Sequence, residues 1–557
     1  MGTFCLLHVL ARDGCLRKKE KKRDTEFMQE LSSRDGVFEA LSEMMRRLWW
    51  NRQWVIQETV LPPLAVVHYG RFTLPWDMLS SALKSYQTHH DKTCCNTDYA
   101  KLRTSDTHAL ENFVRTVRSI DRWRTVWRDH SEAPVKLLQL LWQFRSRNTG
   151  RPKDKIYALI PLVTSWAQQK PLDVHYDWDV ANIFVDLVPA LVDVENSLLI
   201  LMGTTQKTQD PQDPALASLR PDDRVLTAAS LSRLPTWVPD WTKKPDAHEL
   251  ARLERTPLYH AFGPLLDENG SKLKDHQGKV KPKFDLRDNI RFYNRPGADY
   301  FEILEVRGKI HDKLTTSIGG EMPSIDATNP TTAQETARNV RETFAAWAHL
   351  ASTDTDPQLK YLGGPSTQRN AFYRTLCMDT VHEGSENDDD NLPLDRKDYQ
   401  RTDSRSYARD FDTRIRQVGI TEGTGQSPNE EDYRFRFQGN NTATWGTTIR
   451  SPEKINEITG VNNATTSATT YRKFFVSEQG YMGLGPPEMQ DGDLIVVLVG
   501  GHTPFIIRKA NKQEVDANSG RKQCYTLIGD CYVHGIMDGE AMKDVQEEGQ
   551  LEQFFLV

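Results

Sequence analysis

The sequence predicts an α+β fold, with helices through the middle of the chain and short strands in its C-terminal part. Two observations indicate this. Within residues 135–144, Leu137, Leu138, Leu141 and Trp142 recur at helical spacing and share one face. From Arg472 onward, short apolar runs alternate with loops that contain Gly, Pro and Asn, which predicts strands at 472–477, 481–484, 493–499, 505–508 and 524–534, beyond an earlier strand predicted at 302–307. Short strands at such regular spacing favour a small sandwich or barrel.

Composition and turn-forming residues divide the chain into five predicted regions. A Pro-Asp-Trp turn at 239–241 ends the helical part, and residues 380–432 are rich in charged and polar residues and poor in apolar ones. Such a segment buries too little surface to offset the entropy of ordering, so it is predicted to be a disordered acidic insertion. The regions are 1–75 (helix and strands), 76–241 (helical), 242–379 (mixed α/β), 380–432 (disordered) and 433–557 (β-rich).

Composition also bounds the function. The 557 residues are 38% hydrophobic and 27% charged, which is typical of a soluble globular chain. A net charge of −6, with no basic stripe, predicts no nucleic-acid partner. No apolar segment is long enough for a membrane span, and seven cysteines, an odd number, favour a reducing cytoplasmic location. No metal site is expected, because His89-His90 and Cys94-Cys95 lack a second ligand pair at zinc spacing.

The most informative stretch is residues 41–76, LSEMMRRLWWNRQWVIQETVLPPLAVVHYGRFTLPW. Apolar residues from Val37 to Trp49 recur at helical spacing and predict an amphipathic helix. At Trp54 the period drops to two, which predicts a strand over residues 54–60, ended by Pro62-Pro63. Residues 65–74 then predict a hairpin that turns at Gly70.

Glu58 is the unusual residue of this predicted strand. It would share a face with Trp54 and Ile56, where an unpaired carboxylate would cost several kcal/mol. One interpretation is a buried structural ion pair with an arginine of the preceding helix or with Arg52. The alternative is an active-site carboxylate, and the sequence leaves both open.

Five blocks in this chain resemble fungal heterokaryon incompatibility (HET) proteins. Trp49-x-x-Arg52-x-Trp54-x-x-Gln57-Glu58, followed by a hairpin with Gly70, resembles the end of the HET domain. The other blocks follow in the family's order: DKIYAL at 154–159, LPTWVPDW at 234–241, FYRTL at 372–376 and YVHGIMDGEA at 532–541. The residues assigned to these motifs, with a structural role, are Trp49, Gln57, Gly70, Asp154, Tyr157, Trp237, Trp241, His534, Gly535, Asp538 and Gly539.

The resemblance implies a protein of fungal non-self recognition and programmed cell death that acts with an unidentified protein partner. It also implies that residues 1–75 are a partial α/β segment similar to the TIR fold, some members of which cleave NAD with a glutamate. Glu58 would then be catalytic, Arg52 would bind phosphate and Trp54 would stack on the ligand. NAD would be a substrate, and no cofactor is predicted.

One departure from the family pattern shapes the expected activity. The family's Ser-Tyr-x-Trp-Gly-like strand and its Asp-x-x-Cys-Ile-Asn-Gln-like stretch have no counterpart in residues 1–35. The resemblance therefore predicts a truncated HET segment, without catalytic activity in this form. A third interpretation is an inert remnant whose C-terminal part only binds partners.

Overall fold

The chain forms two compact units in a computed structural model. The structure describes residues 2–12, 36–90, 103–128, 135–166, 172–203, 210–217, 219–264, 272–274, 281–294, 301–324, 330–352, 359–382, 399–402, 463–516 and 520–557. Unit 1 holds the described residues up to Trp166, and unit 2 holds those from 172 onward. The division lies well before the boundary predicted near residue 241, and helices occur on both sides of it.

Unit 1 is helical apart from one hairpin. Its helices are α1 (Gly2–Ala11), α2 (Val37–Met45), α3 (Trp54–Val60), α4 (Trp76–His90), α5 (Thr104–Arg128), α6 (Leu137–Phe144) and α7 (Asp154–Tyr157). Its strands are β1 (Val66–Tyr69) and β2 (Phe72–Pro75), which pair antiparallel with Tyr69 opposite Phe72. Gly70 lies in the turn with φ +60°, so the predicted hairpin is confirmed.

The strand predicted over residues 54–60 is wrong, because this segment is helix α3. Val55, Ile56, Thr59 and Val60 are buried, a pattern that repeats with the period of a helix rather than that of a strand. In the sequence, the apolar residues at 54, 55, 56 and 60 are too few to distinguish a period of two from that of a helix. Tertiary packing therefore decides which structure forms.

A buried hydrogen-bond centre anchors the core of unit 1. The Trp76 indole Nε1 donates to Asp121 Oδ1 at 2.8 Å, and the Ser80 hydroxyl donates to Asp121 Oδ2 at 2.7 Å. Asp121 is buried, so these two donors replace the water that its carboxylate loses on folding. The contact joins α4 directly to α5.

The described residues of unit 2 form five helices, a further helical segment and most of the strands. Its helices are α8 (Val180–Glu195), α9 (Pro221–Leu231), α10 (Ala247–Arg255), α11 (Pro330–Leu350) and α12 (Gln368–Leu376), and residues 463–469 are also helical. Its strands are β3 (Ile290–Asn294), β4 (Phe301–Glu321), β5 (Thr380–His382), β6 (Tyr399–Arg401), β7 (Lys473–Ser477), β8 (Met482–Gly485), β9 (Leu494–Leu498), β10 (Phe505–Asp516), β11 (Gly520–Asp530), β12 (Tyr532–Val533) and β13 (Glu552–Leu556).

The large sheet of unit 2 closes on itself. Strand β4 pairs with β13, β13 with β11, β11 with β10, β10 with β9, and β9 returns to β4. All of these ladders are antiparallel except β13 with β11. Gly308 lies where β4 passes from β13 to β9, and a Cβ there would come within 2.4 Å of the Val497 carbonyl oxygen. Of the predicted sandwich or barrel, the closed circuit matches the barrel.

The barrel draws on regions that the sequence assigns elsewhere. Strands β3 and β4 lie in the predicted mixed region, and β4 runs to Glu321 although only residues 302–307 are predicted as strand. At the edges of the predicted disordered insertion, β5 pairs with β6, and Tyr399 and Thr402 are buried, so the prediction is wrong for residues 380–382 and 399–402. The rest of the insertion lies outside the described residues. Among the described helices, none combines the length and apolarity needed to cross a bilayer.

Candidate functional site

Two of the sequence blocks meet in unit 1. The Arg147 Nη1 donates to the Trp50 carbonyl at 2.6 Å, and Asn148 exchanges backbone hydrogen bonds with Asn51 and Gln53. Lys155 of the DKIYAL block donates its ammonium to the carbonyls of Arg145 and Arg147. Asp154 and Tyr157 of this block are buried as well. These contacts tie the segment before α3 to the turn before α7, which is a structural role.

The predicted ligand residues of unit 1 do not converge. Arg52 and Glu58 are exposed, Trp54 and Gln57 are half-buried, and no hydrogen bond or ion pair joins Glu58 to another of the described residues. Trp54 and Glu58 lie one turn apart on α3 and so share a face. Arg52 precedes the helix, where its backbone bridges to Asn148. The predicted buried ion pair of Glu58 is therefore wrong, because the helix turns this carboxylate to solvent.

Glu58 allows a direct test. Replacing Glu58 with Ala should leave the thermal unfolding midpoint nearly unchanged, because an exposed carboxylate without a partner contributes little to stability. The matched control is Asp121→Ala in the same unit, which leaves the Trp76 indole N–H buried without its acceptor and should lower the midpoint by several degrees. A large drop for Glu58→Ala, similar to that of the control, would contradict this placement.

A polar cluster in unit 2 surrounds the buried carboxylate of Asp379. Arg374 donates its Nε to Asp379 Oδ1 at 2.5 Å, and Arg401 Nη2 lies 3.1 Å from Asp379 Oδ2. The Thr402 hydroxyl donates to the same carboxylate. Asp379 adopts a left-handed backbone conformation, with φ +55°. The cluster thus joins the end of α12 to strand β6.

Arg401 links this cluster to the last sequence block. Its Nη2 also lies 2.9 Å from Asp538 Oδ2, and its guanidinium lies 5.1 Å from the centroid of the Tyr259 ring. Asp538 accepts a second contact, from Lys272 Nζ at 2.8 Å. Although burial opposes ionisation of Asp538, Arg401 and Lys272 hold the pKa of its carboxyl below the usual value. The FYRTL and YVHGIMDGEA blocks therefore meet through Asp379, Arg401 and Asp538.

His534 is the buried imidazole beside this cluster. Its Nδ1 lies 2.9 Å from the Tyr532 hydroxyl, and its carbonyl accepts from the Tyr361 hydroxyl at 2.9 Å. Burial lowers the pKa of His534 to about 4, so the ring is neutral at neutral pH. Gly535 follows with φ +93°, and a Cβ there would lie 2.2 Å from the Gly363 carbonyl oxygen. Only glycine fits this close approach of two chain segments.

The chemistry available to the described groups of this cluster is limited. Burial raises the pKa of the Cys377 thiol to about 12, so it is protonated at neutral pH and is a poor nucleophile. Burial also raises the pKa of the Tyr259 hydroxyl, which donates to the Met378 carbonyl at 2.6 Å. The geometry is that of a paired polar cluster that holds the loop with Asp538 next to the end of α12.

The other motif residues have structural surroundings too. Trp237 and Trp241 are fully buried, and the Trp237 ring lies 5.7 Å from that of Phe292 on β3. Trp49 is half-buried and packs its ring edge-on against Trp50 at 4.8 Å. Gly539 has φ +92° and approaches Gly263. Among the described residues, no group of His, Cys, Asp or Glu could hold a metal ion.

Comparison with known proteins assigns the barrel. The sequence model of the Het-6 β-barrel domain family matches residues 302–557. Those residues are similar to the Het-6 β-barrel domain family. The match begins within β4 and includes the closed circuit of strands, Asp379, Arg401 and the YVHGIMDGEA block.

A curated relative agrees with this assignment. The chain is 34% identical over 83 residues to the heterokaryon incompatibility protein 6, OR allele, of Neurospora crassa. The aligned part is 15% of this chain and 11% of that relative. Together with the Het-6 barrel, it confirms the resemblance to fungal HET-type proteins. No solved structure matches the chain.

Proposed function

We propose that this chain acts in fungal non-self recognition as a HET-type incompatibility protein, through binding of a protein partner that leads to cell death. The observation that carries the proposal is the Het-6 β-barrel domain at 302–557, in which two blocks shared with HET proteins meet at Asp379, Arg401 and Asp538. Among the described ionisable groups of this cluster, Asp379 is buried, Arg374, Arg401 and Asp538 are half-buried, and all four are joined by ion pairs. That arrangement suits a rigid binding module more than a reaction centre.

The test is expression of the full chain in a panel of fungal strains that differ in incompatibility genotype. We expect reduced growth or cell death in some strain combinations and normal growth in others, because a partner must be present. The barrel variant Asp379→Asn should abolish the effect, whereas Asp544→Asn, at an exposed ion pair with Lys309, should preserve it. Equal growth in every combination, with the protein accumulating to normal levels, would contradict the proposal.

A second candidate is NAD cleavage by unit 1. It is favoured by the exposure of Glu58, with Trp54 one turn away on the same face of α3. Purified full-length chain and its Glu58→Gln variant would be compared for NAD consumption. Loss of NAD that depends on Glu58 would support this activity. If neither protein consumes NAD, partner binding remains the better account.

A further inference from the structure

Two arginines one helical turn apart on α10 are buried without a carboxylate. Arg252 Nη1 donates to the carbonyls of Ser467 and Thr470, at 2.9 and 3.0 Å. Arg255 Nη2 donates to the Ser467 hydroxyl, and its guanidinium lies 4.0 Å from the centroid of the Tyr399 ring. Arg255 is 0% exposed and Arg252 is 7% exposed. Both charges are therefore removed from water.

These contacts leave part of each guanidinium unsatisfied. The Nε of both arginines and the Nη1 of Arg255 are buried without an acceptor. Within the part of the chain that the structure describes, neither side chain has a carboxylate within ion-pair distance. A buried cation without a counter-charge is strongly destabilising, and buried polar groups in folded proteins are normally paired. The three nitrogen atoms therefore lack a hydrogen-bond acceptor, and the described residues supply no carboxylate in direct contact with the pair.

Three carboxylates, Asp246, Asp530 and Glu249, attract the charge of Arg252 from beyond ion-pair distance. Asp530 pairs with Arg472 at 2.8 Å, and Asp379 pairs with Arg374 and Arg401. Asp246, the N-cap residue just before α10, accepts from the His248 and Glu249 backbone amides.

Burial and nearby charges lower the pKa values of two groups on α10. Burial, and then the charge of Arg472, lower the pKa of Arg252 to about 9. Burial lowers the pKa of His248, and both Arg252 and Arg255 add to that effect, while Asp246 opposes it. Asp246, Asp530 and Glu249 offset part of this effect on Arg252.

We propose that Arg252 and Arg255 bind a small oxyanion of the phosphate or carboxylate class. The three unpaired N–H positions belong to two guanidinium groups on one face of a helix, and planar guanidinium groups recognise oxyanions through paired N–H donors. A water molecule would satisfy one or two of these donors but would not supply the missing negative charge. The bound oxyanion completes the connection of α10 to the segment 463–470.

The first measurement uses the unmodified full chain. Equilibrium dialysis with inorganic phosphate, sulfate and acetate, each at constant ionic strength, should show saturable binding of at least one anion. The same anion should raise the thermal midpoint by about 2–5 °C at saturation, because a ligand that binds only the folded state stabilises it. Binding of phosphate and sulfate but not acetate assigns the phosphate class, and the reverse assigns the carboxylate class. Absence of saturable binding of all three overturns the proposal.

The variant Arg255→Gln should lose the binding and the rise in midpoint, while Arg287→Gln, at an exposed arginine of the same unit, should keep both. Equal binding by Arg255→Gln and the unmodified chain would place the anion elsewhere and overturn the assignment. If Arg255→Gln does not fold, Arg252→Lys provides the second variant, and weaker binding is expected because lysine cannot offer paired donors. Unchanged binding by that variant would count against the proposal.

Discussion

Replacing Asp379 with Asn is expected to lower the free energy of unfolding of unit 2 by about 3–5 kcal/mol, the cost typical of removing one partner from a buried ion pair. Asp379 holds Arg374 at 2.5 Å and Arg401 at 3.1 Å while it is itself buried. Asparagine keeps the shape and one acceptor but removes the negative charge. Arg374 would then lose this carboxylate, and Arg401 would keep its contact with Asp538, which also pairs with Lys272.

This substitution isolates charge from backbone effects. Asp379 has φ +55°, and asparagine tolerates that left-handed conformation at least as well as aspartate. The loss of free energy of unfolding is measured by urea unfolding of the full chain, monitored with a probe that reports on unit 2. The control Asp544→Asn removes an exposed carboxylate paired with Lys309 and should leave the midpoint nearly unchanged. A loss below about 1 kcal/mol for Asp379→Asn would mean that the cluster does not stabilise the fold.

Several strands of the large sheet could be predicted from the sequence, because residues within and next to each strand mark it. Strands β7, β8 and β9 are apolar runs bounded by glycine, proline or asparagine, and their observed bounds lie within a residue or two of those predicted. The length of β4 could not be predicted in the same way. It pairs successively with β13, β9 and β7, so partners distant in sequence determine where it ends.

Helix α3 is a local element that the sequence predicted wrongly. Its four apolar residues, at 54, 55, 56 and 60, are too few to distinguish a period of two from that of a helix, and the error also misplaced Glu58 on a buried face. The hairpin after it was predictable because Gly70 supplies the positive φ that its turn requires. The assignment of residues 1–75 to a TIR-like fold stays a prediction.

The polar cluster was only partly visible in the sequence. Arg374, His534 and Asp538 lie within motif blocks, but Asp379 and Arg401 do not. Arg401 lies in a segment whose composition indicates disorder, and its role depends on a carboxylate 22 positions earlier and another near the C-terminus. Ion pairs between residues so far apart leave no periodicity, so composition alone could not reveal them. An isolated Arg-Asp combination in a polar segment is too common to predict burial.

The stability of unit 2 is expected to fall as the pH is lowered from about 6.5 to 4, and His534 should account for about 3 kcal/mol of the loss. Burial lowers the pKa of the folded imidazole to about 4, whereas an unfolded histidine titrates near 6.5. Between these values the unfolded chain binds the extra proton and the folded chain does not. The stabilising contribution of the neutral ring is therefore complete above pH 6.5 and is lost progressively towards pH 4.

Comparison with His534→Gln isolates this contribution. Glutamine can still bond to the Tyr532 hydroxyl but does not titrate, so the variant should show a shallower loss of stability over the same pH range. Burial also lowers the pKa values of His248 and His311, which reduce stability at low pH in the same way. The contribution of His534 is therefore the difference between the two stability curves. Denaturant unfolding at pH 7, 6, 5 and 4 gives both curves. Parallel curves for the two proteins would show that the His534 imidazole takes up its proton without loss of the folded structure.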